Sequence, residues 1–302
     1  MGTRGFALID HHYFFKMKLI ADSGSTKTTW VLLEGAEVKS KMITSGLNPY
    51  FNDSQRVEAV LQADLVPFLV EYQISEIHFY GAGCSTRYNN NMISDAIRIF
   101  FRKPKIFVYH DILGAARALF GDGKGIACIL GTGCNSCYFD GTGTFSKIDS
   151  LGYLFGDEGA GSYLGKLFLG AYLKKELPAD LRNTFDQHYN YTLEDILNSL
   201  YNKPSPNRFL ASFSQFLSPN REHPYVQQML LRSFRDFFDA HIRNYEHYQT
   251  ADIGFIGSIA YHYSEFLMKI ASQEEVKITR ILSSPIEGLV EYHKNIPSHP
   301  GL

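Results

Sequence analysis

Asp22-Ser23-Gly24-Ser25-Thr26-Lys27-Thr28 joins two apolar runs, Leu19 to Ala21 and Trp30 to Leu33, and carries few bulky side chains. Gly24 lets a ligand approach the backbone closely. Ser25, Thr26 and Thr28 supply hydroxyls, and backbone N–H groups in such a turn can face an anion. Lys27 could touch that anion or point into solvent. Asp22 ends the first run, where a carboxylate could meet hydrated Mg2+. Ile126 to Phe139 repeats the grammar: an apolar run, then Gly131-Thr132-Gly133-Cys134-Asn135-Ser136, then another apolar run. Two such tips, roughly a hundred residues apart, could grip one phosphate chain from both sides. Transfer of a phosphoryl group asks a protein for little more than positioning, charge neutralisation and a base. Asp111 is the candidate base. It stands where a strand passes into a helix, the place where open α/β sheets gather their ligands. Each feature has a plainer reading. The turns could be polar hairpin tips, since short motifs match often by chance. Asp111 could merely cap the helix that follows, because aspartate is a favoured N-cap.

The elements that must hold these residues follow from periodicity. Leu19 to Ala21 and Trp30 to Leu33 read as strands, and Lys39 to Ile43 as a third. Gly46-Leu47-Asn48-Pro49-Tyr50-Phe51 is a loop by its Gly, Asn and Pro. Asp53 to Glu71 has the apolar spacing of an amphipathic helix, and Asn89 to Phe101 of another. Glu76 to Tyr80 and Lys105 to Tyr109 are strands, the second delivering His110 and Asp111, and Ile112 to Phe120 is a short apolar helix. Gly121-Asp122-Gly123-Lys124-Gly125 is the best linker candidate, being glycine-rich and charged. Strands resume from Ile126 to Ile148. Gly161 to Leu177 is helical, with Pro178 ending it. Asp180 to Tyr248 is mostly helical, broken at Lys203-Pro204-Ser205-Pro206. Ile253 to Ile256 is a buried strand, Ala260 to Ala271 a helix, Val276 to Ser283 a strand, and Pro285 to Asn295 a last helix with Pro at a tolerated first-turn position.

Composition excludes several classes. The chain has 302 residues, 45% of them hydrophobic, which suits one large or two medium packed domains. The formal net charge of −2 offers no bulk attraction to nucleic acid or to an anionic membrane. No run of 18 or more apolar residues occurs, so no membrane span is expected. The four cysteines, Cys84, Cys128, Cys134 and Cys137, make a poor disulfide framework and suit a reducing, cytoplasmic compartment. Cys134-Asn135-Ser136-Cys137 is a C-x-x-C, but a zinc site needs about four ligands and no second cysteine pair exists. The eleven histidines form no H-x-x-x-H or H-E-x-x-H pattern. The aromatic excess from Phe209 to Tyr263 has no basic stripe beside it and reads as helix packing rather than a base-stacking platform. Residues 1–16 lack the long apolar core and small-residue cleavage site of a secretory signal, and are read as an extension before Met17.

The paired turns resemble the first and second phosphate motifs of the superfamily that holds sugar kinases, Hsp70 chaperones and actin. Gly46-Leu47-Asn48-Pro49, His110-Asp111, Gly156-Asp157-Glu158-Gly159 and Gly254-Phe255-Ile256-Gly257-Ser258 then follow in the order of one branch. That branch is similar to the N-acetylglucosamine kinases and BadF/BadG-type ATPases, and the motifs run from about Ile20 to Glu287. The resemblance implies an α/β fold of two actin-like, ribonuclease H-like domains with a cleft between them. The first would span 17–120, joined by a C-terminal helix at 285–297. The second would span 121–284, with a helical insertion at about 178–250. It further implies ATP and Mg2+, with Asp22 near the metal through water, and Asp22, Gly24, Ser25, Thr26, Lys27, Thr28, Gly131, Thr132 and Gly133 around the phosphates. Gly257 and Ser258 would meet the adenosine. Asp111 would accept the proton of a sugar 6-hydroxyl, and Asn48, Cys134, Asn135, Ser150, Gly152, Asp157 and Glu158 would hold the sugar. Ser150-Leu151-Gly152 lacks the aromatic residue that some members carry there, which bears on N-acetyl specificity. The expected activity is phosphorylation of an amino sugar, N-acetylglucosamine foremost, with glucosamine or another hexose, or a non-catalytic BadF-type regulator, as alternatives. The iron–sulfur cluster of some BadF-type activators is not expected, because both cysteines sit inside the second phosphate motif. The expected partners are sugar and ATP, with neither nucleic acid nor membrane, and a homodimer is the expected assembly.

Overall fold

A computed structural model of the chain describes residues 17–295; the 1–16 extension and positions 296–297 of the expected C-terminal helix lie outside them. β1 (Met17–Ser23), β2 (Lys27–Glu34) and β3 (Glu37–Ser45) form an antiparallel meander. The predicted helix over Asp53 to Glu71 is interrupted: α1 (Ser54–Val60) passes through a π-helical turn (Leu61–Leu65) into α2 (Val66–Leu69). Pro67 lies just beyond that turn. It has no N–H to give the carbonyl four residues back and its ring crowds it, so the hydrogen-bond ladder must re-register there. β4 (Ile74–Gly81), α3 (Arg87–Phe100), β5 (Lys105–His110) and α4 (Asp111–Phe120) complete the first half.

The second half opens with β6 (Gly125–Leu130), β7 (Cys134–Phe139) and the two-residue β8 (Thr144–Phe145). Then come α5 (Gly152–Phe155), α6 (Gly161–Leu173), α7 (Ala179–His188), α8 (Leu193–Tyr201), α9 (Pro206–Ser212), α10 (Ser214–Leu217) and α11 (Pro224–Ala240). β9 (Ile253–Ile256), α12 (Ser258–His262), α13 (Ser264–Gln273), β10 (Ile278–Leu282) and α14 (Ile286–Asn295) end it. α6 stops at Leu173, short of the expected Leu177. Lys175 takes a left-handed φ of 62°, its N–H bonds to Tyr172 O, and Glu176 N–H bonds to Ala171 O, a six-to-one closure that ends a helix without proline. The expected helix over Ala260 to Ala271 is split at Tyr263, whose hydroxyl donates to Ser214 O at 2.7 Å and pins the break.

The two sheets have matching topologies. Their strand orders are β3-β2-β1-β4-β5 and, read from the same end, β8-β7-β6-β9-β10. In each, the first three strands run antiparallel and the last two join in parallel. The helix that ends each half packs across onto the other: α4 lies on β6, β7 and β9, and α14 lies on α4, β1 and β2. A buried cluster between the sheets therefore mixes both halves, with Ile20 and Val31 beside Ala127 and Ile256, and Ile112 beside Leu289. Each sheet buries its other face under its own helices, Trp30, Phe79 and Ile97 on one side and Phe168, Phe234 and Phe255 on the other. The aromatic excess of the insertion is spent in that second core, where Phe168, Phe185, Phe213 and Phe216 stack and meet edge-on.

Candidate active site

The first turn is the β1–β2 hairpin tip, tightened by Gly24 N–H donating to Lys27 O at 2.9 Å. Thr26 and Lys27 stand exposed at its crest, and Gly24 and Ser25 are half-buried. Thr28 is corrected. Its side chain is fully buried, and its hydroxyl is committed to Ser45 O at 3.1 Å and Ser23 Oγ at 2.8 Å. It braces the hairpin, and its hydroxyl faces inward rather than toward the crest of the turn. Asn48 is drawn to the turn from the following loop: its Nδ2 donates to Ser25 Oγ at 2.9 Å and its Oδ1 accepts from Tyr50 N–H at 2.9 Å.

The second turn, Gly131 to Gly133, is half-buried and sits against the start of α6, whose Gly161 and Ser162 N–H groups donate to Gly131 O and Thr132 O. Asp157 locks this arrangement. Its φ is +63°, its Oδ1 accepts from Cys134 N–H at 3.0 Å, and its Oδ2 accepts from the Ser162 hydroxyl at 2.9 Å. Burial holds its pKa above the ordinary carboxylate value, against the pull of those two bonds. Each oxygen keeps a lone pair for a further donor. Asn135 is buried, with Oδ1 accepting from Ser136 N–H. Ser150 is exposed and donates to Cys134 O at 3.2 Å, and Gly152 opens α5 with φ of +67° and open space where a Cβ would stand. Glu158 is half-buried beside Cys134 and His241. Gly257 follows β9 with φ of +126°, and Ser258, exposed, begins α12.

Asp111 does not cap α4. The cap is His110 in extended backbone, and Asp111 is the first helical residue. Its Oδ1 is buried and accepts no hydrogen bond; His110 Nε2 lies 3.0 Å away, at ion-pair range when the ring is protonated, but without hydrogen-bond geometry. A carboxylate oxygen that accepts no hydrogen bond has a lone pair open to a hydroxyl donor. Asp22 stands near enough to feel it. Burial first, and the charge of Asp111 second, push the Asp22 carboxyl up to about 7, against a 3.4 Å hydrogen bond from Ser284 and the attraction of Lys27. Two carboxylates crowded this way fit a hard, oxygen-seeking divalent cation, which takes one or two carboxylates together with phosphate oxygens. The structure thus sets Asp22, the first turn and Asp111 at the carboxyl ends of β1 and β5 in the first sheet, and the second turn, with Asp157 and Glu158 beside it, at the carboxyl end of β6 in the second.

No family model matches the chain, and no curated protein does. Solved structures do. A protein from Porphyromonas gingivalis, provisionally described as an N-acetylglucosamine kinase, is 41% identical, with 92% of this chain and 98% of that one aligned and a TM-score of 0.88. The chain belongs to the actin-like sugar kinase family. A provisionally described N-acetylglucosamine kinase from Chromobacterium violaceum shares the fold at 16% identity and a TM-score of 0.66, over 92% of this chain and 99% of that one. So does a glucokinase of the ROK family from Streptomyces griseus, solved with glucose and AMPPNP, at 13% identity and 0.50 over 92% and 97%.

As a sugar kinase, the chain uses ATP as phosphoryl donor and a sugar as acceptor. No described helix is long and apolar enough to cross a membrane. Three residues near this kinase site had no signal in the sequence. Ser284 reaches Asp22 from the segment before α14. His241 and Tyr245 reach the second turn from the end of the insertion, bonding to Ser136 Oγ at 3.2 and 2.9 Å. Lone residues more than a hundred positions from their partners form no spacing pattern to read.

Proposed function

We propose that this kinase transfers the γ-phosphoryl group of ATP to O6 of N-acetylglucosamine, with Asp111 as general base. The observation that carries the role of Asp111 is its buried, unbonded Oδ1 at the β5–α4 junction beside the first phosphate turn. The name of the 41% identical Porphyromonas protein supports the choice of sugar. In this reading the 6-hydroxyl donates to Asp111 and loses its proton there as its oxygen bonds to the γ-phosphorus. The bond to the β–γ bridging oxygen breaks, and ADP leaves with those electrons. The turns at Gly24 to Lys27 and Gly131 to Gly133 hold the phosphates, Gly257 and Ser258 the nucleoside, and Asn48, Asn135, Asp157 and Glu158 the sugar hydroxyls. Asp22 would hold Mg2+ through water, and the bound ion would supply neutralisation of phosphate charge. Four buried free cysteines support a reducing, cytoplasmic setting.

A panel of sugars with coupled ADP detection tests this reading. N-acetylglucosamine should give the highest kcat/KM, and the product should carry phosphate at O6. Preference for glucosamine or glucose would overturn the N-acetyl assignment, for which Ser150-Leu151-Gly152 supplies no aromatic contact. ATP binding without turnover on any sugar would favour a regulator.

A further inference from the structure

We propose that Cys134, Glu158 and His241 form a binding site for a soft divalent cation of the zinc class, in the wall of the sugar cleft. The Cys134 thiol at the start of β7, a Glu158 carboxylate oxygen before α6 and a ring nitrogen of His241 at the end of α11 lie within 4.8 Å of one another. Sγ is 3.4 Å from His241 Nε2, and Nε2 is 3.8 Å from Glu158 Oε2. Ligand atoms around a tetrahedral zinc ion lie about 3.3–3.6 Å apart, given bonds of about 2.0–2.3 Å. Sγ and the Glu158 oxygen lie within 4.8 Å, so rotation of the half-buried Glu158 side chain would close the site.

The other ring nitrogen is already tied down. With its proton on Nδ1, His241 donates to Ser136 Oγ at 3.2 Å, and that oxygen also lies 2.9 Å from Tyr245 Oη. That leaves the Nε2 lone pair aimed at Cys134 and Glu158. Such a hydrogen bond behind a ligating histidine is the usual support of a metal site. Cys134 and His241 are buried, while the Glu158 side chain keeps 23% of its exposure, so a fourth position opens to the cleft for water or a hydroxyl. The ligand set is thiolate, imidazole and carboxylate, which favours zinc over magnesium. Burial, Asp157 and Glu158 hold the Cys134 thiol protonated in the free protein. Cation binding would expel that proton to solvent, leaving a dication against one thiolate and one carboxylate. The C-x-x-C spacing plays no part: strand alternation sends Cys137 to the opposite core, beside Ala127 and Ile256. The chelate is built from distant residues.

Titration of the metal-free protein with Co2+ tests the site. One equivalent should give tetrahedral d–d absorption and a thiolate-to-cobalt charge-transfer band, release about one proton, and be displaced by Zn2+. Cys134→Ser should abolish the charge-transfer band, and Ser136→Ala should weaken binding roughly 10–100-fold. Cys137→Ser should change neither. Zn2+ should raise the melting temperature of the wild type but not of His241→Gln, a readout that survives if Cys134→Ser folds poorly. Absence of saturable one-to-one binding, or a charge-transfer band that persists in Cys134→Ser, would overturn the proposal. A consequence rests on the sugar assignment above: the ion and N-acetylglucosamine should compete. If Co2+ binds as described and sugar leaves its affinity unchanged, the metal site stands, and the placing of Cys134 and Glu158 against sugar falls.

Discussion

Asp111 and Asp22 are both carboxylates at the ends of neighbouring elements, yet their surroundings prepare them differently. Asp111 has a buried oxygen that accepts no hydrogen bond, with His110 Nε2 3.0 Å away, whereas Asp22 is bonded by Ser284 and faces the charge of Asp111. Asp111→Asn keeps size and polarity but cannot take a proton. Steady-state kinetics should show kcat down by on the order of 10²-fold or more, the lower end of a general base's contribution, with ATP affinity and melting temperature near wild type. Retention of a tenth of the wild-type kcat would remove Asp111 from that role. Asp22 makes a pH prediction. Its carboxyl is raised to about 7 in the free protein, so folding favours its protonated form. The fold is therefore penalised as pH rises from about 4, where the unfolded group ionises, to about 7, and the penalty is constant above that. Binding of magnesium-ATP needs the ionised group. Affinity should thus fall as pH drops below 7, by up to about tenfold per unit, and calorimetry in buffers of different ionisation enthalpy should detect proton release. Asp22→Asn should bind more weakly and lose both effects; persistence of either would assign the proton elsewhere.

Two glycines, Gly257 before α12 and Gly131 in the second turn, separate what folding demands from what a ligand demands. At Gly257, φ is +126° and a Cβ would stand 2.2 Å from Leu130 O, because α12 begins pressed against the end of β6. Gly257→Ala should destabilise by at least the ~1–3 kcal/mol of such a strained backbone, seen as a lower denaturation midpoint. At Gly131 a Cβ would meet nothing within 4 Å. Gly131→Ala should melt like wild type but raise KM for ATP severalfold, because the methyl would fill space the phosphates need. An unchanged KM would move the phosphates off that turn. Both glycines were legible as turn residues, but the sequence could not say which served packing. The same divide holds across the chain. Strands such as Trp30 to Leu33 and helices such as α3 are periodic over their own length, so local pattern reveals them. The break at Tyr263 and the inward turn of Thr28 depend on contacts with other elements, and the end of α6 on a left-handed turn at Lys175, a residue type that does not announce one. His241 was the least legible, since its neighbours Cys134 and Glu158 come from different elements.

The candidate residues divide between the halves: Asp22, Thr26, Asn48 and Asp111 on the first, Thr132, Asn135, Asp157 and Ser258 on the second. Between them the chain crosses twice, through Phe120 to Gly125 and through Leu282 to Ile286. The two helices at the crossings lie against each other so closely that a Cβ on Gly288 would stand 2.4 Å from Ala118 O. Arg280 ties β10 to the same joint by donating to Leu119 O at 3.0 Å. This is a packed joint, lined by the buried cluster that both halves share, which suits rotation of one core against the other better than local unfolding. A ligand that touches both halves favours the closed arrangement by its differential affinity. Sugar and nucleotide each bridge the cleft in this reading, so each removes part of the closure cost for the other. Their binding should be mutually enhancing, by ~1–3 kcal/mol, or roughly 5–150-fold in affinity. Calorimetric titration of the sugar with and without a non-hydrolysable ATP analogue measures that coupling. Small-angle scattering should show a smaller radius of gyration with both ligands than with either one. Gly288→Leu would wedge the crossing helices apart, and it should weaken the coupling more than it weakens the binding of either ligand alone. Sugar affinity indifferent to the nucleotide, with no compaction, would mean that the two groups of residues do not share one cleft.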